Sequence, residues 1–188
     1  YNHFYGIIFK SLPILKNIDL NVIFFSNQWN PPLNKFGLLG FIVNTFLIAI
    51  LAVVIALPIS LLSAIYLAEY SSRKSLDGIR SLIDLLASIP SVIYGVWGVL
   101  VIVPFVKNYF APLCGADSSG YSLISASIVL AIMISPIIIQ ITLELFLNLP
   151  RELKESALAL GITKWQSIKK VLLKKISPGI LAAVILAT

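Results

Sequence analysis

Three stretches of this chain carry no charged side chain: Phe36 to Ala68, Leu85 to Val106 and Ser118 to Leu143. Each exceeds the roughly 18–20 apolar residues that a helix needs to cross a bilayer. No water reaches the hydrocarbon core, so a spanning segment must satisfy its backbone groups internally, as a helix does. The runs therefore predict an all-α, polytopic transmembrane helical bundle. A fourth uncharged run, Ile176 to Thr188, reaches the last residue.

Composition decides against the main rival, a large soluble core. Hydrophobic residues make up 59% of the 188, and charged residues 12%. That is about half the charged share of a soluble domain. The net charge of +6 would suit nucleic acid, but its placement argues otherwise. Ten of the fourteen basic residues fall in two loops: Arg73, Lys74 and Arg80, then Arg151, Lys154, Lys164, Lys169, Lys170, Lys174 and Lys175. Such clustering marks cytoplasmic loops. The charge thus reports topology, and no nucleic-acid partner is expected.

The chain begins with Tyr1 and ends inside an apolar run, which suggests a fragment of a longer protein. The lone Cys114 excludes a disulfide within the chain and reads as an inert small residue. One histidine, His3, and no acidic pair within the spans leave too few ligands for a zinc protease. Neither a metal nor a cofactor is expected, and no catalytic residue. A membrane anchor or sensor is the non-enzymatic rival to a transporter. No GxxxxGK[ST] phosphate loop occurs, so any ATP would be bound by a partner.

Along the chain, "SNQWNPPLNKFG" has turn chemistry, and the segment 10–37 is expected outside the cytoplasm as a loop or short interfacial helix, with Trp29 and Phe36 at the membrane interface. A first complete span is expected from about Leu38 to Ala68, kinked at Pro58. A second is expected from about Leu82 to Pro104, with Arg80 and Asp84 able to pair near its inner end. Ser88, Ser91, Gly95 and Gly98 form a small-residue stripe along it. The stripe either lets another helix approach closely or lines a translocation path, and Pro90 interrupts the helix beside it. The loop "KNYFAPLCGADSSG" is expected outside. A third span runs from about Tyr121 to Leu147 and contains Pro136. Glu144 near its inner end reads as a snorkelling or interfacial carboxylate; a buried functional carboxylate there would need a partner that the sequence does not identify. A further span starts at Pro178.

The segment 149–177 is the most regular of the polar stretches. Pro150 suits a helix start and Glu152 complements its dipole. Leu153, Ala157 and Leu160 share a face. Gly161 supplies a residue tolerant of positive φ at the helix end. Thr163 and Gln166 form a capping-box pattern for a second helix, which carries Trp165, Ile168 and Leu172 on one side and lysines on the other. The second helix alone would fit an anionic lipid surface. The short first helix suits docking into a partner's groove.

"ESALALG" with the following "VLLKK" resembles the cytoplasmic signature loop of ABC importer permeases: Glu-Ala-Ala, three residues, Gly, nine residues, Ile, one residue, Leu-Pro. Glu155, Ser156, Ala157 and Gly161 match in spacing, with Ser156 in place of an alanine. Val171 and Leu173 match the apolar positions, and Lys174 stands where the family has proline. "SIPSVIYGVWG", "LPILKNIDLNVIFFSNQWNP" and "LAIMISPIIIQITLELFLNLPRELKESALALG" are similar to the C-type membrane subunit of the high-affinity phosphate ABC importer. This resemblance runs from about Ser11 onward.

It implies a type I permease fold of six spans, of which residues 1–188 would be part. It further implies a coupling loop over 149–177, with Glu155, Ser156, Ala157, Leu160 and Gly161 at the ATPase. The implied partners are an A-type permease, cytosolic ATPase subunits, an extracytoplasmic phosphate-binding protein and membrane lipid. The implied location is a bacterial or archaeal cytoplasmic membrane. Sulfate, molybdate or an amino acid is the alternative cargo.

Overall fold

The computed structural model describes residues 20–33, 35–159 and 161–188. The chain forms two compact units, divided between Leu47 and Ile48. In the first, helix α1 (Leu20–Phe25) precedes a small antiparallel hairpin. Strand β1 (Trp29–Asn30) pairs with β2 (Lys35–Phe36) in the register Trp29 to Phe36 and Asn30 to Lys35. Trp29 meets Phe36 and Phe41 edge-on, at centroid distances of 5.8 and 5.4 Å. Gly37 is required here, because a Cβ would lie 2.2 Å from the Ser26 carbonyl oxygen. The expected loop or short helix is thus a short helix followed by a hairpin. Residues 10–19 lie outside the described ones.

Among the described residues, three helices are long and apolar enough to cross a membrane: α2 (Leu39–Glu69), α4 (Ser91–Leu113) and α5 (Leu123–Leu147). The first and third match the expected spans closely, and both run unbroken through their prolines, Pro58 and Pro136.

The second span differs from expectation. Residues Arg73–Ala87 form a separate amphipathic helix, α3, and the chain breaks at 88–90 before α4 begins. Proline disfavours helical backbone at the residue before it, here Ile89. The freed carbonyls are taken up locally: the Ser88 hydroxyl donates to the Leu85 carbonyl at 2.7 Å, and the Tyr94 hydroxyl to that of Leu86 at 2.9 Å. The far end also shifts. Residues expected as an outer loop, Lys107 to Pro112, are helical. Two π segments, Gly98–Ile102 and Val106–Phe110, carry α4 past Pro104 and Pro112. Each lies just before a proline that cannot donate to its i−4 carbonyl, and the ladder re-pairs with i−5 bonds such as Val103 N–H to Gly98.

The last helix also begins earlier than expected. Helix α7, residues 164–187, comprises Lys164–Ser167, a π segment Ile168–Leu172 and Leu173–Ala187. Pro178 lies inside it rather than at its start. The Lys174 carbonyl that Pro178 leaves free accepts a hydrogen bond from the Ser177 hydroxyl at 3.0 Å. The second helix of the loop and the last apolar run are therefore one element.

Among the described residues, the helices of the second unit share three apolar clusters. Ala52 and Ala56 of α2 pack on Ala131, Ile134 and Ile138 of α5. Ala64, Leu67, Ile83 and Leu143 join α2, α3 and α5. Ile65, Phe146, Ile168, Leu172 and Ile176 join α2, α5 and α7. A stripe of small residues makes the first contact possible. Ala52, Ala56, Ser60 and Ala64 recur every fourth position and are 0–1% exposed. Small side chains at that spacing let helix backbones approach closely in a bilayer, where apolar burial alone gives no drive. Ser60 donates its hydroxyl to the Ser135 carbonyl across this seam, at 3.4 Å.

Candidate functional site

The loop that joins α5 to α7 carries the resemblance, and it is built from its two ends. At the α5 end, Asn148 donates to the carbonyls of Glu144 and Phe146, and Leu149 N–H donates to Phe146 at 3.3 Å. These bonds close the helix and turn the chain. Pro150 then precedes α6 (Arg151–Ala159), whose first-turn Glu152 faces the positive end of the helix dipole.

On α6, Ala157 is buried and Leu153 half-buried, whereas Glu155 and Ser156 are exposed. The expected third member of the apolar face, Leu160, lies outside the described residues. Gly161 has φ +77°, the left-handed region, and nothing lies within 4 Å of where a Cβ would sit. Backbone geometry, not crowding, calls for glycine there.

The capping box is formed in full. Gln166 N–H donates to Thr163 Oγ1 at 3.3 Å, and Thr163 N–H donates to Gln166 Oε1 at 3.1 Å. Beyond it Ser167, Ile168 and Leu172 are buried. Trp165 departs from the expected apolar face, being 49% exposed. The buried side of this helix starts at Ser167 and Ile168.

Two lysines tie this loop to the end of α2. Lys154 of α6 forms an ion pair with the Glu69 carboxylate. Lys164 of α7 donates to the Glu69 main-chain carbonyl and stands 4.5 Å from the Tyr70 ring centroid. A second ion pair links α3 to α5: Arg80 to Glu144 at 2.7 Å. Glu144 thereby has a partner that sequence spacing did not suggest, and Arg80 is not paired with Asp84 as expected.

The four residues of the expected stripe are separated by the break at Pro90. Ser88 caps the end of α3 and is exposed; Ser91 and Gly95, on α4, are exposed too. Only Gly98 is in close contact: a Cβ there would lie 2.4 Å from Val129 Cγ2 of α5. A buried small stripe lies instead on α2. Its four-residue spacing was present in the sequence, inside a uniformly apolar run where helical faces do not stand out.

Spanning helices of this length, joined through amphipathic segments, define a multi-pass, all-α membrane protein. The chain belongs to the binding-protein-dependent transport system inner membrane components, whose family pattern matches residues 56–188. It is 41% identical over 157 residues to the phosphate transport system permease protein PstC of Xylella fastidiosa, covering 76% of this chain and 48% of that protein. It is 37% identical over 163 residues to the probable ABC transporter permease protein YqgH of Bacillus subtilis, covering 86% and 51%. The probable phosphate transport system permease protein PstC of Methanocaldococcus jannaschii is 32% identical over 194 residues, covering 95% and 61%. The chain thus spans about half the length of the curated relatives it matches. No solved structure matches it.

Proposed function

We propose that this chain is part of the membrane permease of an ATP-driven importer of inorganic phosphate. The observation that carries this reading is its similarity, over most of its own length, to bacterial and archaeal proteins named as phosphate permeases. Residues 149–177 would be the cytoplasmic coupling loop within the transmembrane domain. ATP hydrolysis would belong to separate cytosolic ATPase subunits. A second, A-type permease subunit, an extracytoplasmic phosphate-binding protein and the surrounding lipid would complete the assembly.

The geometry of α6 supports the coupling role. A partner can reach Glu155 and Ser156 because both are exposed, while Ala157 and the Lys154 ion pair hold the opposite side. Gly161 permits the sharp return into α7. Force applied to such a helix passes into the spans, which rock around a path between them.

The test is uptake of labelled phosphate, sulfate and molybdate by cells with and without the intact gene. Loss of phosphate uptake alone on deletion is expected. Loss of sulfate or molybdate uptake with phosphate unaffected would overturn the cargo while leaving the transporter class standing.

A further inference from the structure

A coupling helix needs a route from its docking face to the spans. Helix α6 packs against the first turns of α7. Its link to the first span is different in kind, an ion pair between Lys154 and Glu69, the last residue of α2. The Glu69 side chain is 9% exposed and that of Lys154 27%, so this pair is largely withdrawn from water. The exposed Arg80–Glu144 pair, at 40% and 48%, is not. A carboxylate this buried depends on its partner, because an unpaired charge there is strongly unfavourable.

Lys164, on the far side of Gly161, donates to the Glu69 carbonyl and covers the Tyr70 ring. A lysine at a helix C-terminus meets the unpaired carbonyls and the negative end of the dipole. The helices on both sides of the Gly161 turn therefore hold the same end of α2. Directly behind it, Ile65 of α2 packs with Ile168, Leu172 and Phe146. An outward displacement of α6 would pull on Glu69, and through it on a helix whose small-residue seam runs along α5.

We infer that Glu69 is a positioning residue: with Lys154 it forms a strut through which movement of α6 is delivered to α2. This rests on the coupling role proposed for α6. The strut sets where the loop stands relative to the first span, and Lys164 locks the end of that span against the loop's other arm.

The test uses the full-length subunit in membranes with its ATPase, as the single variants Glu69→Gln and Lys154→Met and as the double variant. Each single variant leaves one charge uncompensated and is expected to lower the membrane level of the subunit. The double variant removes both charges and is expected to restore that level. It still lacks the strut. In the double variant, amide exchange of residues 151–159 should speed by about tenfold or more while residues 123–147 keep their protection. Phosphate moved per ATP hydrolysed should fall by a similar factor. A double variant with normal level, unchanged exchange and unchanged uptake per ATP would overturn the inference and leave the coupling role intact. A wild-type complex with no ATP-driven uptake would overturn the coupling role itself, and the strut's function with it.

Discussion

Two glycines on this chain are needed for opposite reasons, and substitution separates them. At Gly161 the backbone is left-handed and the surroundings are open. Gly161→Val should cost on the order of 1–2 kcal/mol locally, since a β-branched residue clashes with its own backbone there. Gly161→Asn should be much milder, because asparagine tolerates this region. Function should follow that order in uptake assays, with membrane levels equal; equal loss in both variants would mean that side-chain bulk, not backbone conformation, matters. At Gly98 the backbone is right-handed helical and Val129 leaves no room. Gly98→Ala should lower thermal stability in detergent by about 1–3 kcal/mol, and Val129→Ala should recover most of it. Gly95→Ala, on a helix and in open space, should not lower the melting temperature and should raise it slightly. Spacing put Gly95 and Gly98 on one stripe, but it cannot say which of them meets another helix, because contact depends on where the neighbouring span runs.

The elements repeat this lesson. Uncharged runs located the first and third spans well, since charge is so costly in a bilayer that its absence marks the span. The second was placed too early. Leu82 to Ala87 belong to the C-terminal end of α3, whose charges run from Arg73 to Asp84, and hydropathy merged that end with α4. Pro90 was the better boundary signal. Pro178 misled in the other direction: a proline can begin a helix, but here Ser177 supplies the missing bond and α7 runs through. The α2–α5 seam went unread because alanines within an apolar run do not stand out. Its importance can be measured. Ala56→Leu should drive α2 from α5 and reduce the folded subunit, at about 1–3 kcal/mol for overpacking. An unchanged melting temperature would refute the seam. Arg80→Ala, by contrast, removes an exposed pair and should cost no more than about 1 kcal/mol.

For the whole molecule, fold class and family were legible at once, from uncharged runs and a spaced loop motif. The linkage of loop to span was not. Glu69 and Lys154 are far apart in sequence, and only the return of α6 beneath α2 brings them together. The basic loops imply an orientation: cysteines placed at Ser72 and Ser167, after Cys114 is replaced, should resist an impermeant thiol reagent in intact cells, and one at Asn30 should react. Ser167 is buried, so shielding at Ser72 carries the greater weight. Reversed labelling at Ser72 and Asn30 would refute the orientation. Under the function proposed above, this chain would transmit ATPase work through residues 150–161 to phosphate import. The most direct test of that transmission is the ratio of phosphate uptake to ATP hydrolysis in reconstituted complexes carrying Gly161→Val or Glu155→Lys. Both variants should insert at wild-type levels yet show that ratio falling by about tenfold or more, or lose the ATPase outright, for a loss of at least about 1.4 kcal/mol in coupling. Wild-type ATPase binding, hydrolysis and uptake in both would contradict it.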